Sequence, residues 1–159
     1  EIERDVLFAV PTPPYAWPLH GHDVAAHIRT ILPAGEHAGA VDLAFGAANS
    51  SRHLDRIELE VFTELFGHDA ARTWLTSIKG ATGEFAASGA LTTATAALAL
   101  HSQTVPPLCN LHEREAGIPF RIAAPRAVAA PLDRVLVAGL ARGGAGAALL
   151  LARANDASC

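Results

Sequence analysis

The chain contains no methionine among its 159 residues, so as written it does not open on an initiator residue, and a processed or partial chain is expected. Cysteine is almost as scarce. Cys109 and Cys159 stand 50 residues apart, in no CxxC or Cys/His spacing, which excludes a disulfide framework and leaves no zinc pattern. Neither a metal nor a cofactor is expected. Basic residues are not in excess: 12 against 16 acidic ones give a net charge of −4, without the positive footprint that nucleic acid or an anionic membrane surface requires. No apolar run reaches the roughly 18 residues of a membrane span. The N-terminus is acidic where a signal peptide would be basic, so a cytosolic setting is expected.

What is present is apolar: 50% of the residues, enough for one domain with a core of its own. The opening EIERDVLFAV reads as a strand that stops at PTPPYAWP. Val24, Ile28 and Ile31 keep helical spacing behind Asp23, which predicts a helix over 23–32 capped by Asp23 and ending before Pro33. Residues 41–48, VDLAFGAA, read as a buried strand. From Leu54 to Phe66, Ile57, Val61, Phe62, Leu65 and Phe66 form one helical stripe, with Asp55, Glu58, Glu60 and Glu64 elsewhere around the helix and Gly67 as its stop.

Trp74 to Ile78 suggests a short strand and SIKGATGE a loop. Ser88 to Gln103 is an Ala/Leu-rich helix with so little charge that burial on most sides is expected. Short extended pieces follow around Cys109–Leu111 and Phe120–Ala124. Arg134–Ala138 and Ala147–Ala152 then read as two strands of a hairpin. Strands alternating with helices and ending in antiparallel pieces imply a three-layer α/β arrangement with a mixed sheet. No internal repeat or low-complexity segment interrupts it.

The stretches SIKGATGEFAASGALTTATAALAL, VPPLCNL and VLVAGLARGGAGAALLLAR resemble, in order and spacing, the C-terminal half of a β-ketoacyl synthase of the thiolase-like superfamily. Upstream, VDLAFGAANSSRHLDRIELEVFTELFG is similar to that family's segment of strand, HGTxT-type loop, acidic pair and helix. The resemblance covers essentially the whole chain. It implies a thiolase-like fold represented by its C-terminal half, residues 1–159, with the N-terminal half and its nucleophilic cysteine not included.

In that family the cysteine carries the acyl chain, while two histidines promote decarboxylation and stabilise the oxyanion. The resemblance runs from Val41 to Asp55 without a gap and puts Ala47 at the first histidine position. Glu84 stands at the second, in Lys79-Gly80-Ala81-Thr82-Gly83-Glu84. The aromatic gate loop corresponds to Ala141-Arg142-Gly143-Gly144, with Arg142 in place of the gate. Lys79 matches the family lysine and is the single lysine of this chain, while Asp55 and Glu58 match the family's acidic positions. Glu58 or Glu84 is expected to pair with Lys79 in the interior, where breaking the pair would cost about 3–5 kcal/mol.

Lost histidines on a retained scaffold, together with GEFAASGAL, resemble the chain length factor, the non-condensing partner of type II polyketide and aryl-polyene-type ketosynthases. That resemblance implies as partners the chain's own N-terminal half, an active ketosynthase subunit in a heterodimer, and acyl carrier protein. Two other readings stay open: a divergent condensing enzyme with an unusual base such as Glu84, and a stand-alone scaffold that only binds carrier protein.

Plainer explanations cover the remaining candidates. His20, His22 and His27 suit a surface loop and helix start better than a metal site. His53 falls outside the site in the ungapped register. Gly143-Gly144 suffices as a tight turn, since no helix start follows to cradle a phosphate. Cys109 reads as a small buried hydrophobe with no histidine or helix N-terminus to activate it. Residues 112–115 read as a solvated loop.

Overall fold

The computed structural model describes residues 2–7, 21–29, 41–48, 51–114, 116–141 and 146–153. In chain order the elements are strand β1 (Ile2–Leu7), helix α1 (Gly21–Arg29), β2 (Leu43–Phe45), α2 (Arg52–Phe66) and a 3-10 turn over Gly67–Ala71. They continue with β3 (Trp74–Thr76), the short helix α3 (Lys79–Thr82), α4 (Ser88–Ser102), β4 (Thr104–Val105), β5 (Val128–Ala129), β6 (Arg134–Leu140) and β7 (Gly146–Arg153).

Five strands form one sheet in the order β1-β7-β6-β2-β3, and β4 and β5 make a separate two-stranded ribbon. β2 runs parallel to both β3 and β6, whereas β6, β7 and β1 are antiparallel neighbours. The expected mixed sheet and terminal hairpin are therefore present.

Side chains alternate across a strand, and the sequence of β6 uses both faces. Leu136, Ala138 and Leu140 join a core with Val24 and Ile28 of α1 and Ile57, Val61, Phe62 and Leu65 of α2. Val135 and Val137 point into a second core with Leu43 and Phe45 of β2 and Ala96, Ala99 and Leu100 of α4. Helices α1 and α2 thus cover one face and α4 the other, giving the expected three layers. Phe120 closes the first core from a loop, its ring edge-on to Phe62 and Phe66 at 6.4 and 6.0 Å.

Several boundaries differ from expectation, each for a local reason. Helix α1 begins at Gly21, so Asp23 sits inside its first turn rather than capping it, and residues 30–32 lie outside the described ones. Glycine at 21 permits the close crossing with α2, because a Cβ there would lie 2.9 Å from Glu60 Cβ. The strand expected over 41–48 is confined to Leu43–Phe45, since the amides of Ala47 and Ala48 bond to Glu58 instead of a neighbouring strand. Strand β3 stops at Thr76, and the stretch read as a plain loop contains the helical turn α3. Cys109 and Asn110 form a turn, with Asn110 at φ 61°, rather than an extended piece.

The largest correction concerns α4. Ser88, Thr92, Ala96, Ala99 and Leu100 are buried against the sheet, but Ala87 at its N-cap, Ala94 and His101 are exposed, as are Leu91 at 39% and Leu98 at 65%. Composition marks this helix as apolar all round, and only one layer of the described structure covers it. No helix among the described residues is long and apolar enough to cross a membrane.

Candidate functional site

Parallel pairing of β2 with β3 brings the C-terminal ends of both strands to one edge of the sheet, with Phe45 opposite Thr76. The segments that follow, Gly46–Ala48 and Ser77–Glu84, therefore leave the sheet side by side. The Gly46 N–H still donates to the Thr76 carbonyl at 2.9 Å. Helix α2 returns past this edge and supplies Glu58.

Glu58 is 7% exposed, on the core-facing side of α2 rather than on its polar side. Its Oε1 accepts the Ala47 N–H at 2.6 Å and its Oε2 the Ala48 N–H at 3.0 Å. Ala48 is held at φ 36°, a left-handed backbone that alanine adopts with strain. Burial pushes the Glu58 carboxyl up from the ordinary carboxylate range; the two N–H donors oppose this, nearby Asp55 reinforces it and the Lys79 charge works against it.

Lys79 pairs with Glu84 rather than with Glu58. Its Nζ donates to Glu84 Oε1 at 2.9 Å, and the two side chains are 14% and 54% exposed. The pair expected in the interior is therefore a surface-edge pair, and the lysine is its covered member. The turn that presents it is built locally: the Lys79 N–H reaches Ser77 Oγ at 3.3 Å, and the Gly83 N–H closes on the Lys79 carbonyl at 2.9 Å. Gly83, at φ 74°, then turns the chain so that Glu84 comes back beside Lys79.

The fold thus sets Glu58 against the Ala47 amide and within electrostatic reach of Asp55 and Lys79, and Glu84 is linked to this group through Lys79. His53 is exposed on the first turn of α2. Arg142, Gly143 and Gly144 lie outside the described residues, as do His20 and the side chains of His22 and His27. Cys109 is half-buried. Of 112–115, His112, Glu113 and Arg114 are exposed, and Arg114 clasps the carbonyls of Ile118 and Phe120 at 2.6 and 2.7 Å.

Two contributors escaped the sequence reading. Gly46 is required because a Cβ there would lie 2.7 Å from Glu58 Oε2. Asn110 donates its side-chain amide to the Gly80 carbonyl at 2.6 Å. An asparagine just beyond two prolines is a signal for a left-handed turn, and would have drawn attention to it.

Chemically, the arrangement offers a methyl group, a carboxylate closed onto backbone amides and a carboxylate neutralised by lysine. The methyl of Ala47 has no proton to donate to a developing oxyanion, and the Lys79 ammonium directs one of its three N–H groups to Glu84.

Residues 18–112 match the family described as Beta-ketoacyl synthase, C-terminal domain. A 3-oxoacyl-[acyl-carrier-protein] synthase 2 from Coxiella burnetii is 29% identical over 129 residues, covering 80% of this chain and 31% of that protein. The ishigamide ketosynthase/chain length factor overlays with a TM-score of 0.79 at 23% identity, covering 94% of this chain and 37% of its own. A type II polyketide synthase acyl-carrier protein in complex with its ketosynthase bound to the hexaketide overlays at 0.75 and 14% identity, covering 97% and 37%. These overlays show the fold to be of the thiolase-like ketosynthase type. The chain belongs to the β-ketoacyl synthase C-terminal domain family, and it spans about a third of the length of the curated relatives it matches.

Proposed function

We propose that this chain is part of a catalytically silent subunit of the chain-length-factor kind. The subunit pairs with an active β-ketoacyl synthase and shapes the tunnel in which an acyl carrier protein-bound polyketide, aryl-polyene or fatty-acyl chain grows. In this reading residues 1–159 are one C-terminal half. The chain's own N-terminal half covers the bare face of α4, the active ketosynthase completes a heterodimer, and acyl carrier protein delivers the chain.

The observation that carries the proposal is the Lys79–Glu84 pair, 2.9 Å across, in the same group as the methyl of Ala47. By resemblance Ala47 and Glu84 occupy the two histidine positions of a condensing site. Decarboxylation needs hydrogen-bond donors aimed at the enolate oxygen. Ala47 has none, and Glu84 accepts a hydrogen bond from the Lys79 ammonium instead of donating one. Tunnel shaping needs only a fixed backbone, which Glu58 supplies by tying Ala47 and Ala48 to α2. The name of the ishigamide ketosynthase/chain length factor among the overlays supports the same direction.

A divergent condensing enzyme is the second reading, favoured by the name of the Coxiella burnetii synthase. It would use Glu84 as base, and the hydrogen bond from Lys79 weighs against that role by occupying a carboxylate oxygen. The test is condensation by the native complex after the nucleophilic cysteine of the partner ketosynthase is replaced by alanine. Complete loss of product is expected; condensation that persists would overturn the proposal.

A further inference from the structure

We infer that Asn110 is a positioning residue for Lys79, fixing from a separate loop the turn on which the Lys79–Glu84 pair is presented. The inference deepens the site reading above and rests on it for its functional meaning. Helix α3 has only four residues, too few to hold a shape by helical hydrogen bonding alone. Its position is therefore set by what it touches.

The Asn110 side-chain amide donates to the Gly80 carbonyl at 2.6 Å, tying the turn to a segment 30 residues further along the chain. Asn110 aims its amide this way because its backbone is left-handed, φ 61°, a conformation asparagine tolerates better than most residues. The approach is possible because residue 80 is glycine. A Cβ there would collide with the carbonyl oxygen of Cys109. Gly80 and the Cys109-Asn110 turn thus fit as a pair, one lacking a side chain where the other brings its backbone in.

The consequence falls on Lys79, adjacent to Gly80. Its side chain is largely covered while Glu84 is more than half exposed, so Glu84 comes to a lysine already held in place. Loss of the Asn110 amide releases the turn and with it the lysine, while the sheet and both cores keep their contacts.

The experiment uses the full chain in its native assembly, labelled with 15N-lysine, with the Lys79 Nζ signal assigned by its disappearance in Lys79→Arg. Reactivity of the same amine toward an acylating reagent is followed by mass spectrometry of the peptide containing it. Asn110→Gly keeps the left-handed backbone and removes only the amide. It is expected to move the Nζ signal toward that of Glu84→Gln and to raise acylation of Lys79 about fivefold, the change in opening expected for one lost hydrogen bond.

If Asn110→Gly does not fold, Asn110→Asp reads the same point, since it keeps the shape and sets an acceptor against the Gly80 carbonyl. A thermal midpoint close to wild type alongside the altered lysine separates positioning from general destabilisation. An unchanged Nζ signal and acylation rate in a folded variant, with Glu84→Gln shifting both, would overturn the inference. Condensing activity plays no part in this readout, so its failure is distinct from failure of the proposed function.

Discussion

Glu58 Oε2 fills the space that a side chain at Gly46 would need, since a Cβ at residue 46 would stand 2.7 Å from it. The glycine and the glutamate are a matched pair: one leaves a gap beside the sheet edge, and the other uses it to reach the amides of Ala47 and Ala48. Gly46→Ala is expected to destabilise the fold by about 1–3 kcal/mol, the usual cost of overpacking a buried site. Urea denaturation of wild type and variant checks it. An unchanged midpoint would mean that Glu58 can move aside freely.

Glu58 also sets a pH dependence whose sign follows from its raised pKa. Below the ordinary carboxylate range the folded and unfolded chains both hold the proton. As pH rises past that range the unfolded chain releases its proton first, so the contribution of Glu58 to stability is lost until the folded carboxyl also ionises. Glu58→Gln removes this titration. Stability measured over a pH series should fall less steeply for the variant just above the carboxylate range; identical slopes would contradict the assignment.

The unequal exposure of Lys79 and Glu84 predicts unequal costs on breaking their pair. Lys79→Met leaves a carboxylate that water can reach, and should change stability by no more than about 0.5 kcal/mol. Glu84→Gln leaves a mostly covered ammonium without its partner, and should cost up to about 1 kcal/mol. Both values lie below the range for a pair in the interior. Parallel denaturation of the two variants decides the order, and a larger loss for Lys79→Met would reverse it.

Helix α4 offers a contrast between its two sides. Leu100 is 1% exposed, and Leu100→Ala should cost about 2–5 kcal/mol. Leu98 is 65% exposed, and Leu98→Lys should leave the stability of this chain within about 0.5 kcal/mol of wild type. In the proposed full-length subunit, where the N-terminal half covers this face, the same Leu98→Lys change should sharply lower the yield of folded subunit recovered by size exclusion. A normal yield would show that the bare face is not covered there.

Much of this architecture was legible because it is written locally. The alternation of Val135, Leu136, Val137 and Ala138 marks a strand buried on both faces, and the spacing of Ile57, Val61, Phe62 and Leu65 marks a helix packed on one of them. Lys79 stood out as a lone lysine, and its choice between two carboxylates was open because both lie within reach of a flexible side chain. The fit of Gly80 under Cys109 was invisible for a different reason: the partners are far apart in sequence, and a glycine's missing Cβ says only that something approaches. The open side of α4 was misread because composition reports how apolar a helix is and not how many layers cover it.

The hydroxyls of α4 carry one more consequence. Thr92, Thr93, Thr95 and Ser102 each donate to the carbonyl four residues earlier, at 2.8, 2.9, 2.9 and 2.8 Å. These few hydroxyls of an otherwise apolar helix have thus satisfied their donors within it. A neighbour closing over its outer side would displace water without stranding the hydroxyl donors of Thr93, Thr95 and Ser102.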